Sequence, residues 1–171
     1  MESFSGTMRW QPTVVHLIFD GNADEAIAFY AAAFDDMVIE RVERYGAYER
    51  GLRGSVRHAT LWLGGRRVSC ADALPGTATE EFSRTISLVI DCADELELER
   101  LGAALVRDGE PLDGPRRDHL GRRSVWVRDR FGVVWWLTAA VPAQACETKG
   151  VPFAELEGAV PGGAQPAPDP G

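Results

Sequence analysis

Two stretches of this chain run through the same order of local signals, and that repetition restricts the fold more than any single residue does. The first opens with Thr13-Val-Val-His-Leu-Ile-Phe19, passes into Asp20-Gly-Asn-Ala-Asp-Glu-Ala-Ile-Ala-Phe-Tyr30, and closes with Arg57-His-Ala-Thr-Leu-Trp-Leu-Gly-Gly-Arg-Arg-Val-Ser-Cys-Ala71. The second opens with Arg84-Thr-Ile-Ser-Leu-Val-Ile-Asp91, passes into Ala93-Asp-Glu-Leu-Glu-Leu-Glu-Arg-Leu101, and closes with Arg123-Ser-Val-Trp-Val-Arg-Asp-Arg-Phe-Gly-Val-Val-Trp-Trp-Leu137. Strand, helix, then paired strands, twice over, predicts a βαβββ repeat carried by pattern rather than by residue identity. The expected class is α+β: two modules whose mixed sheet curves into a cup, with the helices outside. Such a cup is a place for a small molecule.

Composition narrows the setting. A chain of 171 residues, 45% of them hydrophobic, is expected to form one domain around one core. We place a N-terminal extension at residues 1–11, the domain at 12–140 and a C-terminal extension at 141–171. Module one covers about residues 12–75 and module two about 82–140. The Pro- and Gly-rich end, from about residue 159 on, has little apolar surface to bury and is expected to be flexible. A short helix around Phe153–Glu157 is expected before it. A formal net charge of −8 argues against nucleic acid as a partner. No apolar run reaches the roughly 18–20 residues that a membrane span requires. The N-terminus lacks a basic, apolar leader. Cys70, Cys92 and Cys146 stand at no metal-ligand spacing, so reduced thiols in the cytoplasm are expected.

Asn22 with Glu25, and Asp94 with Glu97, read as helix starts of the capping-box kind. Gly109 reads as the stop of the second helix. The residues Met37–Tyr45 read as a charged edge strand, and Tyr45–Ser55 as a glycine-rich loop. Gly64-Gly65 and Asp129–Gly132 read as hairpin turns. Neighbours along a strand face opposite sides of a sheet. Leu17, Phe19, Leu61, Leu63, Val127, Trp135 and Leu137 thereby fall on an apolar face suited to the helices. His16, His58, Thr60, Trp62, Ser87, Trp126 and Trp136 fall on the opposite face. Apolar walls with a few polar groups are the usual lining of a ligand pocket, and three indoles are costly to leave in water. These seven are the candidate pocket residues.

Asp20–Tyr30, Gly54–Gly65 and Trp126–Trp135 resemble the corresponding segments of PhnB-like proteins, which are labelled 3-demethylubiquinone-9 3-methyltransferase-like. The resemblance covers roughly residues 12 to 139. It implies the vicinal oxygen chelate superfamily, shared with glyoxalase I, extradiol dioxygenases and the bleomycin and fosfomycin resistance proteins, usually dimeric. The chain has no strand followed by a G-x-G-x-x-G turn, so the sequence gives the methyltransferase label no support.

The same resemblance implies three positions for a divalent ion: His16, Ser87 and Trp136. Tryptophan cannot ligate, serine ligates poorly, and one histidine falls short of the three or so protein ligands of a catalytic site. We therefore expect no metal and no other cofactor. His58 could join His16, but two histidines make a weak site. Cys70 as a nucleophile beside His58, and an anion-holding role for the basic loop Pro115–Arg123, are weaker candidates than a buried thiol and a solvated loop. Two functions stay open. One is a homodimeric protein that binds or sequesters an aromatic or planar organic compound. The other is an enzyme of small-molecule metabolism that uses His16 or His58 as acid–base groups.

Overall fold

Each module folds as the repeat requires, with its helix laid across a four-stranded sheet of its own. The computed structural model describes residues 14–77, 82, 85–117 and 121–139. The expected N-terminal extension and the whole C-terminal extension with its short helix lie outside the described residues. In chain order the elements are β1 (Val15–Phe19), α1 (Ala23–Ala33), β2 (Val38–Arg44), β3 (Val56–Leu63), β4 (Arg66–Asp72), β5 (Leu88–Cys92), α2 (Glu95–Leu105), β6 (Glu110–Arg117), β7 (Arg123–Arg128) and β8 (Val134–Ala139). The sheets have the orders β1-β4-β3-β2 and β5-β8-β7-β6. The first strand of each pairs in parallel with the last, and the remaining pairs are antiparallel. This is the expected α+β pair of βαβββ modules.

Local chemistry explains most element ends. Gly64 and Gly65 take φ of +55° and +68°, the left-handed pair that a tight two-residue hairpin needs. At α2, Asp94 accepts from the Glu97 amide at 2.8 Å while Glu97 accepts from the Ala93 amide at 2.6 Å, satisfying two orphan donors reciprocally. Helix α1 departs from expectation. Asn22 sits at the N-cap without a side-chain hydrogen bond. The Ala23 amide donates instead to Asp72 of β4, at 2.9 Å, and the other oxygen of that buried carboxylate takes the Val56 amide at 2.7 Å. Nor is Gly109 a left-handed stop. Helix α2 ends at Leu105, Asp108 takes the positive φ, and a Cβ on Gly109 would meet the Arg128 carbonyl.

The core lies where alternation sends it. Leu17, Phe19, Leu61, Leu63, Val127, Trp135 and Leu137 are buried, and Leu98, Leu101 and Leu105 of α2 join them. The two modules meet through aromatic rings. Trp135 of β8 packs against Tyr30 and Phe34, each with ring centroids 5.4 Å away. Asp129 sits buried at this junction. It accepts from the Tyr30 hydroxyl (2.7 Å), the Trp135 indole N–H (2.8 Å) and the amides of Phe131 (2.9 Å) and Val133 (3.0 Å). Burial pushes its carboxyl upward, and these four bonds pull it back. No helix among the described residues is long and apolar enough to cross a membrane.

Candidate ligand site

Strand register sorts six of the seven candidate residues into two groups, one on each sheet, and Ser87 stands just before β5 rather than on it. On the first, β1 places His16 opposite Ser69 of β4, which in turn faces Thr60 of β3. Partners in a ladder share a face, so the three side chains form one row. His58 and Trp62 stand two residues to either side of Thr60 and point the same way. The His16 and His58 rings are stacked, centroids 6.0 Å apart. The Trp62 indole donates to Glu40 at 3.1 Å and is 42% exposed, so this indole is open to a partner.

Ser69 is the residue of this group that strand alternation over β1, β3 and β5 alone misses. Its hydroxyl lies 2.8 Å from His16 Nδ1 and donates to the Val15 carbonyl at 3.3 Å. In the tautomer that satisfies both contacts, Nδ1 carries the proton and Nε2 keeps its lone pair. Burial, and then the neighbouring His58, hold the His16 pKa below the usual imidazole value. The ring is thus a neutral base near neutral pH. Reading the faces along Arg66–Asp72 of β4 as well would have found Ser69.

On the second sheet, Trp126 of β7 and Trp136 of β8 stand directly opposite, with Val89 of β5 beside them in the same row. The two indoles are stacked, centroids 5.4 Å apart at 29° between planes. Arg128 and Thr138 flank the pair on the same face, and the Thr138 hydroxyl donates to Asp91 at 2.5 Å. Trp135 points the other way and is fully buried, as alternation requires. A cleft of about 650 Å³ takes its lining from both modules. Val14, Val15 and Trp62 line it from module one, and Ser87 and Val89 from module two. The structure brings Trp62 and Ser87 of the seven to this one cleft, but not His16, His58, Thr60, Trp126 or Trp136, and Trp135 forms part of its wall. A cleft of about 590 Å³ beside α2 is lined by Asp35, Asp36, Asp91 and Glu97 and holds none of the seven.

Cys70 does not meet the requirements of a nucleophile. It faces the core, opposite the side of His58, and burial, then Asp72, push its thiol up to about 12. The basic loop is also different in kind. Its two ends are strand: Pro115, Arg116 and Arg117 belong to β6, and Arg123 opens β7, with which β6 pairs. Arg117 and Arg123 are taken up by Glu95 of α2 at 2.8 and 3.2 Å, and Arg123 by Glu99 at 2.5 Å, rather than held open for an anion.

The residues present do not fit the divalent ion that relatives of this fold hold. Of the three implied positions, Trp136 offers no lone pair and packs on Trp126, and the Ser87 hydroxyl ligates poorly, which leaves His16 as a lone ligand. Among the described residues, no three or more His, Cys, Asp or Glu side chains gather as ligands.

Paired βαβββ modules with this strand order define the vicinal oxygen chelate fold. The chain belongs to the family described as 3-demethylubiquinone-9 3-methyltransferase, whose profile matches residues 11–138. A putative 3-demethylubiquinone-9 3-methyltransferase, PhnB protein, from Bacillus cereus is 32% identical over 76% of this chain and all of that one, with a TM-score of 0.69. Protein PA1353 from Pseudomonas aeruginosa is 24% identical over 76% of this chain and 98% of that one, at 0.68. The fosfomycin resistance protein FosX from Listeria monocytogenes shares the fold at 13% identity, over 78% and 96% of the two chains, with a TM-score of 0.59. No curated protein matches the chain.

Proposed function

We propose that this protein binds a small planar aromatic compound, as a homodimer in the cytoplasm, and that the stacked Trp126–Trp136 pair is its anchor. The observation that carries the reading is that pair, set beside Val89 on one sheet face and not on the buried one. Aromatic side chains supply large, rigid contact area and are the common anchors of binding sites. The homodimer accounts for apolar surface that one chain leaves open: Ile18 (49% exposed), Val38 (56%) and Val89 (51%). The methyl-transfer chemistry of the family's description has no part in this reading. The first strand-to-helix turn, Asp20-Gly-Asn22, holds one glycine and its counterpart, Ala93-Asp94, none.

Titration calorimetry with fluorene, a planar hydrocarbon, tests the reading. Wild-type protein takes up the compound, and Trp136→Ala weakens binding by about 1–3 kcal/mol. Equal affinities in the two proteins, or no binding to either, would overturn it.

A second reading rests on His16. A neutral imidazole held by Ser69 can serve as an acid–base group without a metal. Loss of a turnover reaction in His16→Gln, with binding retained, would favour that reading.

A further inference from the structure

Among the described residues, the buried side-chain nitrogens that lack a hydrogen-bond partner are two: Trp136 Nε1 and Arg128 Nε. They belong to the same face of the same sheet. Trp126 stands opposite Trp136, and Arg128 follows Trp126 by two residues along β7, so the guanidinium stands on the face of the stacked pair, diagonal to Trp136. Buried N–H donors are seldom left unmade, because each costs about 1–3 kcal/mol. By contrast Trp135, Trp136's neighbour, donates to Asp129, and Trp62 donates to Glu40. The indole of the proposed anchor is the exception.

We propose that the ligand is a neutral aromatic carbonyl compound, its carbonyl oxygen accepting from Trp136 Nε1 and Arg128 Nε while its rings lie on the indoles. This deepens the reading given above and rests on it. Both nitrogens are covered by protein while each side chain is only partly buried, so the proposed contact requires a rotamer change that turns both donors to the ligand. Charge around the face selects a neutral acceptor over a carboxylate. The Arg128 guanidinium is already engaged by Glu110 at 2.9 Å, Asp113 is paired with Arg116, and Asp91 stands on the same face. A ligand anion would meet three carboxylates and no uncommitted cation among these groups.

The test compares 9-fluorenone with fluorene, the same planar skeleton without the carbonyl, and with 2-naphthoate as the anionic probe, on the full chain. Wild-type protein binds fluorenone about tenfold more tightly than fluorene, the factor that one to two net hydrogen bonds supply. Trp136→Phe keeps the aromatic wall, and Arg128→Lys keeps the charge for Glu110, yet each removes one donor. In either variant the affinity for fluorenone falls at least threefold further than the affinity for fluorene, and an equal fall for both compounds would overturn the donor roles. If wild-type protein binds the two compounds equally, the donor proposal fails and the aromatic anchor stands. If neither compound binds, the anchor itself fails and takes the proposal with it. If 2-naphthoate binds more tightly than fluorenone, the acceptor is an anion and the proposed ligand class is wrong. The wild-type comparison needs no variant to fold.

Discussion

Replacing Trp135 and Trp136 one at a time separates the structural face of β8 from the ligand face. Trp135 is fully buried, packed on Tyr30 and Phe34, and bonded through its indole to Asp129. Trp135→Ala empties a large space between the modules, worth about 3–5 kcal/mol. It also removes one of four donors from a buried carboxylate, worth about 1–3 kcal/mol more. The sum, roughly 4–8 kcal/mol, is comparable to the whole stability of many domains, about 5–15 kcal/mol. Trp135→Phe keeps most of the packing and isolates the hydrogen bond, at about 1–3 kcal/mol. Trp136 is partly exposed and its indole N–H has no partner, so Trp136→Ala costs stability by about 2 kcal/mol or less. Urea denaturation followed by circular dichroism gives all three values. If Trp136→Ala proves the more destabilising of the two alanine variants, the faces are inverted and the pocket residues go with them.

Asp72 caps α1 from β4, so Asp72→Ala leaves the Ala23 and Val56 amides unpaired and costs about 2–4 kcal/mol in the same unfolding assay. The His16 imidazole titrates below its ordinary pKa of 6.5, and His58→Gln restores only the smaller part of that shift, because burial is its larger cause; NMR titration reads both. A depressed base binds fewer protons folded than unfolded, so the neutral His16 ring stabilises the fold above pH 6.5, and that stabilisation is lost as pH falls from there through the folded pKa. Cys70 and Cys92, held up to about 12 and about 11, stay unmodified by a thiol reagent at pH 8 in the native state and react on unfolding, as peptide mass mapping would show.

Where a signal is local, the sequence carried it. Period-two alternation separated Trp135 from Trp136 and Leu61 from Trp62, because sheet geometry forces neighbours apart. The α2 capping box, Asp94 with Glu97, was equally plain. Strand β6 was not. Glu110-Pro-Leu-Asp-Gly-Pro-Arg-Arg117 carries two prolines, a glycine and four charges, and reads as loop. It pairs only because it is an edge strand with register shifts at Pro111/Asp113 and Asp113/Arg116. The capping of α1 by Asp72 joins residues far apart in the chain, and nothing near Asn22 announces it. Asp129 looked like a turn residue, and it is one, since it takes the Phe131 and Val133 amides. Its bonds to Tyr30 and Trp135 depend on how the modules meet. Ser69 and Arg128 were legible by alternation yet carried no recognisable motif. Their weight comes from the His16 contact in one case and from an unpartnered Nε in the other.

The indole N–H resonances of a nitrogen-15-labelled sample, followed while 9-fluorenone is added, test the central claim most directly. The account predicts that the Trp126 and Trp136 signals move, and that the Trp135 signal, held by Asp129 on the opposite face, does not. Movement of Trp135 with Trp126 and Trp136 unchanged would contradict it.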